Sequence, residues 1–143
     1  MALDIRIASS TSDIERCFPV MKQLREKLTL EQYSQRVALQ QKEGYQTAFV
    51  DNDGEIVAVA GFRFFHMLSS GKTLYVDDLV TDEAHRSKGF GEALINWLIE
   101  LARSSDCQTF SLESGVHRRR AHRFYFVQGM YITDFHFQLS LVQ

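Results

Sequence analysis

The chain has 143 residues, of which 45% are hydrophobic and 24% are charged. That length fits one domain with its own core, and the composition is ordinary for a globular protein. A net charge of −2 and a pI near 6.2 exclude a general nucleic-acid binder, because such proteins carry a large basic excess. Two cysteines, Cys17 and Cys107, are too few for a disulfide framework, so we expect free thiols in a reducing compartment.

Nothing in the sequence points to a membrane, a secretion signal or a metal. No apolar run reaches the roughly 18–20 residues of a membrane span, and the first residues lack the pattern of a signal peptide. The five histidines have no zinc-ligand spacing with the cysteines. We therefore expect a soluble cytoplasmic protein with no membrane partner and no metal site.

The N-terminal segment predicts a strand followed by a helix. Ile5 and Ile7 alternate with polar residues, which is typical of a half-buried strand. Ser12 and Glu15 have the spacing of a capping box that opens a helix. Pro19 lies inside the helical pattern, so we expect it to kink or split this helix.

A second helix and a hairpin come next. Thr29 and Gln32 could cap a helix that ends near Gly44. Residues 47–50 and 55–65 are rich in β-branched and apolar side chains on either side of an Asp-Asn-Asp-Gly turn, which predicts two hairpin strands.

The middle of the chain predicts a strand and an amphipathic helix. Residues 74–80 form an apolar run after a Gly-Lys turn. After Gly89, apolar residues recur at steps of three and four, which predicts a helix that ends near Ser104.

The C-terminal part predicts a strand, a helix and a last strand. Residues 109–113 read as a strand, and residues 118–127 as a helix that Gly129 can stop. Apolar and polar residues alternate over 135–141, which predicts a strand with one buried face. The full order predicts one α/β (α+β) domain over residues 1–143, with a mixed, largely antiparallel sheet of six to seven strands flanked by about four helices.

The most informative motif is the hexapeptide at residues 86–91, Arg-Ser-Lys-Gly-Phe-Gly. It joins a strand to a helix, so its backbone N–H groups and the helix dipole suit a phosphate or pyrophosphate. The P-loop does not fit because Lys88 precedes Gly89, and the dinucleotide fingerprint does not fit because Leu94 replaces its third glycine. A plain tight turn is the alternative interpretation.

A second motif agrees with the first. Phe124 and Tyr125 precede Gly129 by four to five residues, with Met130 where a phenylalanine is usual. Together with residues 79–91, this pattern resembles the GNAT superfamily of acetyl-CoA-dependent N-acetyltransferases. The resemblance covers about residues 47–141 and implies the mixed sheet described above.

The resemblance implies a set of residues that bind acetyl-CoA. The main chain of one strand end would pair with the pantetheine arm, the glycine-rich turn would hold the pyrophosphate, and part of the last helix would complete the site. These residues are Leu79, Val80 and Thr81, then Arg86, Ser87, Lys88, Gly89, Phe90 and Gly91, then Arg118, Phe124 and Tyr125. Arg118 stands where the family often has an asparagine, so it could instead bind a cofactor phosphate or an anionic group of the acceptor.

Several residues are candidates for catalysis. The resemblance implies that Tyr125 gives a proton to the leaving CoA thiolate, and a core aromatic is the alternative. Asp77, Asp78 and Glu113 are candidates for the general base, because all three lie on strands predicted to flank the cleft. Because neighbours in a regular strand point to opposite faces, only one of Asp77 and Asp78 should face the site directly. Salt-bridge partners, or a base that acts through water, are equally good interpretations.

The resemblance implies transfer of an acetyl group from acetyl-CoA to a primary amine, most simply of a small molecule, through a tetrahedral intermediate. Two alternatives stay open: acetylation of protein N-termini or lysines, and a non-catalytic CoA-binding module. The basic cluster at residues 117–123 reads as a solvated face and not as a nucleic-acid site, because no aromatic platform accompanies it. A homodimer could form through the predicted strand at 135–141, whose edge would otherwise be exposed.

Overall fold

The computed structural model describes residues 3–142. In chain order the elements are β1 (Leu3–Ile7), α1 (Thr11–Leu24), α2 (Leu30–Gln41), β2 (Gln46–Asn52), β3 (Glu55–Met67), β4 (Gly71–Thr81), a 3₁₀ turn (Glu83–His85), α3 (Phe90–Ser104), β5 (Thr109–Leu112) and α4 (Arg119–Val127). This order confirms the predicted elements through the last helix. Backbone contacts divide the chain into two units, Met1–Ser111 and Leu112–Gln143.

One five-stranded sheet organises the first unit, with the strands in the order β1-β2-β3-β4-β5. The first three neighbouring pairs are antiparallel. The hairpin between β2 and β3 turns at Asp53 and Gly54, whose φ angles are 53° and 90°. Positive φ at both turn residues is the geometry that suits the twist of hairpin strands, and the Asp-Gly pair adopts it readily.

Both faces of the central strands are covered. Seven consecutive residues of β3, from Ile56 to Phe62, are buried. This run has no alternation because α1 and α3 both pack on β3 and β4. One core cluster joins α1, α2 and the sheet through Cys17, Val37 and Phe49, and α3 adds the buried Leu94 and Leu98.

Two details of α1 differ from the sequence prediction. The helix is capped by Ser10, whose hydroxyl accepts a 3.1 Å hydrogen bond from the Asp13 backbone N–H, and not by Ser12. The helix also continues through Pro19 without a split. The nitrogen of Pro19 cannot donate the usual helical hydrogen bond. The burial of Cys17, Val20 and Met21 on one face of α1 stabilises the helix there. The capping box of α2, by contrast, is confirmed at Thr29 and Gln32.

The second unit contains α4 and an extended segment. Gly129, at φ 88°, stops α4 as predicted. The predicted strand at 135–141 was wrong for the structure of this single chain: no strand is formed over residues 130–142. A strand exists only where a second backbone pairs with it, and this segment has none. The described sheet therefore has five strands, not six to seven.

Among residues 3–142, no helix has both the length and the apolar character needed to cross a membrane.

Candidate active site

The predicted phosphate-binding turn, residues 86–91, is called the glycine loop below. It is exposed except at Phe90 and Gly91, and it leads directly into α3. Ser87 and Gly89 both have positive φ, at 65° and 86°. Nothing lies within 4 Å of a Cβ placed on Gly89, so the backbone conformation, and not lack of space, favours glycine there. The first N–H groups of α3 and the Arg86 and Lys88 side chains lie on this loop, which suits an anion.

A hydrogen-bonded chain fixes the backbone just before the glycine loop. Asp82 accepts a 2.7 Å hydrogen bond from the Gln23 amide and lies 2.5 Å from Nδ1 of His85. Gln23 in turn accepts a hydrogen bond from the Glu83 backbone N–H. The Gln23 hydrogen bond and the neighbouring His85 hold the pKa of Asp82 below its usual value.

Asp82 and His85 also belong to the one group of potential metal ligands found among the described residues. The third member is Glu55, and the ligand atoms of the three lie within 4.8 Å of one another. His85 faces Asp82 with one ring nitrogen and Glu55 with the other, at 3.5 Å. Each ring nitrogen of His85 thus already faces a carboxylate of the same group. The expectation that the protein has no metal site stays a prediction.

The end of β4 has an open backbone. Leu79, Val80 and Thr81 pair with β3 on one side. On the other side, the Gln108 N–H donates to the Lys72 carbonyl at 2.8 Å, so β5 begins beside the first residues of β4. A four-residue strand covers only about 13 Å, so β5 cannot reach Leu79–Thr81, which lie seven to nine residues beyond Lys72. This is where the family resemblance implied pairing with the pantetheine arm.

A β-bulge changes the direction of the two aspartates on β4. Gly61 pairs with Asp78 and Phe62 pairs with Val76, which leaves Asp77 as the extra residue. Both Asp77 and Asp78 consequently line one cavity. The expectation that only one of them should face the site directly stays a prediction, although the bulge departs from the regular strand that it assumed.

Each aspartate is held by an arginine. Arg63 donates to both oxygens of Asp77, at 3.0 and 2.8 Å. Arg25 donates twice to one oxygen of Asp78, at 2.9 and 2.7 Å, and the Tyr45 hydroxyl donates to the other at 2.8 Å. Burial raises the pKa of Asp77, and its pairing with Arg63 limits the rise. These are the salt-bridge partners that the sequence left as an alternative.

The cavity has a volume of about 400 Å³, and residues of α1, the α1–α2 connection, α2 and β4 line it. Its charged lining residues are Arg25, Arg36, Asp77 and Asp78. That volume lies within the roughly 300–1,000 Å³ of small-molecule sites. The buried Tyr33 also lines it, and its hydroxyl has no hydrogen-bond partner.

In the second unit, the structure brings Arg118, Phe124 and Tyr125 together on and beside α4. The Phe124 and Tyr125 rings lie 5.7 Å apart, edge to face. Burial raises the pKa of Tyr125, and the charge of Arg118 opposes the rise. The Tyr125 hydroxyl therefore stays protonated at neutral pH, as an acid for a thiolate must.

Glu113 and the basic cluster also lie in the second unit. Glu113 is half exposed and pairs with His136 at 3.0 Å. Arg119, Arg120 and Arg123 are exposed on α4, the solvated face that the sequence indicated.

The sequence did not reveal the arginines and tyrosines around the aspartates. Arg25 reaches Asp78 across 53 positions in the chain, and Tyr45 reaches it across 33. No local spacing carries such a signal. The one hint was an acidic pair inside an apolar strand, because buried carboxylates need partners.

The comparisons with known proteins agree with this geometry. Residues 9–130 match the family model "Acetyltransferase (GNAT) family". An uncharacterized N-acetyltransferase, YhdJ of Bacillus subtilis, is 36% identical over 118 residues, which is 82% of this chain and 83% of the relative. An aminoalkylphosphonate N-acetyltransferase of Salmonella typhimurium is 29% identical over 90 residues, or 62% of this chain and 58% of that protein.

Among solved structures, the aminoglycoside N-acetyltransferase AAC(6')-Iy in complex with CoA superposes with a TM-score of 0.85 at 14% identity, covering 97% of this chain and 94% of the other. At that identity the likeness concerns the fold, and with the family match it supports acetyl-CoA as the donor. The chain therefore belongs to the Acetyltransferase (GNAT) family, and it is an acyltransferase of the N-acetyltransferase type.

Proposed function

We propose that this protein transfers the acetyl group of acetyl-CoA to the primary amine of a small molecule that also carries an anionic group. The observation that carries the proposal is the cavity of about 400 Å³ that Asp77 and Asp78 help to line. These residues directly precede Leu79–Thr81, where the open backbone of β4 would receive the pantetheine arm. Donor and acceptor sites thus meet on one strand.

In the proposed donor site, the glycine loop holds the pyrophosphate with backbone N–H groups, and Arg86 and Lys88 supply positive charge. Arg118, Phe124 and Tyr125 contribute from the second unit. The family match extends across both units, from residue 9 to 130, so we further propose that residues 1–143 act as a single N-acetyltransferase domain. The free thiols of Cys17 and Cys107 favour a cytoplasmic, reducing location for it.

The proposed reaction is direct attack. The neutral amine nitrogen forms a bond to the thioester carbonyl carbon, giving a tetrahedral oxyanion that a backbone N–H of β4 stabilises. When the intermediate collapses, the carbon–sulfur bond breaks and the CoA thiolate takes a proton from Tyr125. An acceptor bound as an ammonium ion first loses one proton to a carboxylate, with Asp78 or Glu113 as the base, directly or through water, which gives the neutral amine; after the attack the nitrogen loses a second proton to solvent.

The charges of the cavity argue for an acceptor with an anionic group. Asp78 Oδ2 accepts one hydrogen bond, from Tyr45, and can accept a second from an ammonium group. Arg36 is exposed at the cavity with no acid paired to it among the described residues. Arg25 uses Nε and Nη2 on Asp78, which leaves Nη1 as a donor. Aminophosphonates and amino acids carry both groups, and one relative is named for an aminoalkylphosphonate.

The test compares matched amines in an assay of acetyl-CoA-dependent thiol release. We expect 2-aminoethylphosphonate or β-alanine to be acetylated with a kcat/KM at least about tenfold above that of propylamine, because a charged hydrogen bond contributes about 1.5–3 kcal/mol. Arg36→Gln should raise KM for the anionic amines about tenfold and leave propylamine unchanged. Arg103→Gln, an exposed arginine on α3, is the matched control.

Three results would contradict parts of this proposal. A polyamine or a peptide N-terminus as the best acceptor would remove the anionic-amine class. If Arg36→Gln left the KM for the anionic amines unchanged, the acceptor would bind at another place. Acetyl-CoA binding without turnover on any amine would favour the non-catalytic module.

A further inference from the structure

Tyr33, on α2, is a buried tyrosine whose hydroxyl finds no partner within the protein. Only 3% of the residue is exposed, and its hydroxyl makes no hydrogen bond among residues 3–142. A buried polar group without a partner lowers stability, so its presence needs a physical explanation. The place of Tyr33 in the lining of the cavity beside Asp77 and Asp78 provides one.

Packing of the helices does not explain the hydroxyl. The Tyr33 ring lies 5.4 Å from the Phe18 ring, tilted by 39°. Tyr33 also belongs to the core cluster that contains Cys17 and Val37. A phenylalanine at position 33 would make the same ring contacts without burying an unpartnered oxygen. The hydroxyl therefore serves something other than the contact between α1 and α2.

Tyr45 provides the contrast in the same cavity. It is as buried as Tyr33, at 3% exposed, and it also lines the cavity. Its hydroxyl, however, donates to Asp78 at 2.8 Å. One of these two buried tyrosines thus has its partner inside the protein, whereas the hydroxyl of the other is left for a bound molecule.

The chemistry of Tyr33 suits an anionic group of a ligand. Burial raises the pKa of Tyr33, and Cys17 and Asp78 add to the rise, so the hydroxyl stays protonated at neutral pH and can donate. Arg36 is three positions further along α2, which places the two side chains on one side of the helix. Both residues line the cavity. Together they offer a hydroxyl and a guanidinium group to the same oxygen-rich anion.

We propose that Tyr33 is a specificity-determining residue whose hydroxyl donates a hydrogen bond to the anionic group of the acceptor, beside Arg36. This inference rests on the proposed function, because it requires an amine with an anionic group in this cavity. The hydroxyl has almost no exposed surface of its own, so the acceptor reaches it when lining side chains change rotamer. Arg25, Arg36 and Leu39 line the cavity and are exposed, and exposed side chains change rotamer within nanoseconds.

The first test is Tyr33→Phe in the assay of acetyl-CoA-dependent thiol release. We expect the KM for 2-aminoethylphosphonate and β-alanine to rise about 10- to 100-fold, the effect of one hydrogen bond to a charged group. The kcat should change far less, because the hydroxyl binds the acceptor and transfers no proton. The KM for propylamine, which has no anionic group, should also change far less. Tyr131→Phe, at an exposed tyrosine, is the control.

Urea unfolding without an acceptor is the second measurement, and it separates binding from a structural role. Tyr33→Phe should unfold at the same urea concentration as wild type or at a higher one, because the ring stays and the unpartnered hydroxyl is gone. Tyr45→Phe should unfold at a lower urea concentration, because Asp78 loses a donor.

Two results would overturn the inference. One is an unchanged KM for the anionic amines in Tyr33→Phe, when the wild-type enzyme prefers those amines. The other is a lower urea midpoint for Tyr33→Phe, which would show that the hydroxyl is bonded within the protein, directly or through a buried water. A wild-type enzyme with no preference for anionic amines would contradict the proposed function itself, and the inference would fall with it. The two failures are distinguishable, since this last one needs no variant.

Discussion

Single residues position the proposed donor site in the first unit. Asp82 joins Gln23 of α1 to His85, at the start of the glycine loop, with hydrogen bonds of 2.7 and 2.5 Å. The carboxylate is mostly buried, so water replaces these bonds poorly when they are lost. The ionised form of Asp82 is thus tied to the folded state.

The lowered pKa of Asp82 predicts a pH-dependent loss of stability. Because the folded-state pKa lies below the unfolded value of about 3.9, the contribution is complete above that value and is lost as pH falls through the folded pKa. Asp82→Asn should lower the free energy of unfolding by about 1–2 kcal/mol at neutral pH. Urea unfolding at about pH 7 and about pH 3.5 should show the difference shrinking in acid, while exposed Glu15→Gln should change little at either pH.

Tyr125 gives the second residue-scale prediction. Its raised pKa keeps the hydroxyl protonated, and Phe keeps the ring but removes the proton. Tyr125→Phe should therefore lower kcat about 10²–10⁴-fold with the KM for acetyl-CoA nearly unchanged. Steady-state kinetics measure this, with Tyr131→Phe as the control at an exposed tyrosine. Unchanged kcat would leave Tyr125 as a packing residue.

At the scale of elements, β4 connects the two halves of the proposed reaction. With a bulge at Asp77, it contributes Asp77 and Asp78 to the lining of one cavity, and its last residues run past the reach of β5. The bulge requires a close approach at Gly61, where a Cβ would overlap the Tyr45 ring. A larger residue at 61 would move Tyr45 away from Asp78, so this glycine supports the site through packing.

The start of α3 gives the prediction at this scale. Gly89→Ala places a Cβ at φ 86° in open space, and the left-handed backbone should cost about 1–2 kcal/mol of stability. Gly54→Ala, at φ 90° and also in open space, is matched in strain but lies in the β2–β3 turn.

Both glycine variants should lose similar stability in urea unfolding. Only Gly89→Ala should weaken acetyl-CoA binding by calorimetry, by about tenfold, the effect of one charged hydrogen bond. Equal affinity of the two variants for acetyl-CoA would show that the glycine loop is only a turn.

At the scale of the whole molecule, the prediction from sequence succeeded where the signal is local. The Thr29 cap, the Asp53–Gly54 turn and the Gly129 stop each depend on a few neighbouring residues, and all three formed as expected. The prediction of a sixth strand at 135–141 failed for the single chain. The alternating pattern shows which face must be covered, but pairing needs a second backbone that a pattern does not contain.

The sequence by itself determined the order of elements through α4, the family and the glycine loop. Helix caps, turns and amphipathic helices each depend on residues that are close together in the chain. Only the tertiary structure decided that Asp77 and Asp78 share a cavity, and that Arg25, Arg63 and Tyr45 hold them. The bulge depends on the register between β3 and β4, and the arginine partners come from 14 to 53 positions away. Packing of the whole first unit is what sets such distances, so no local pattern could have supplied them.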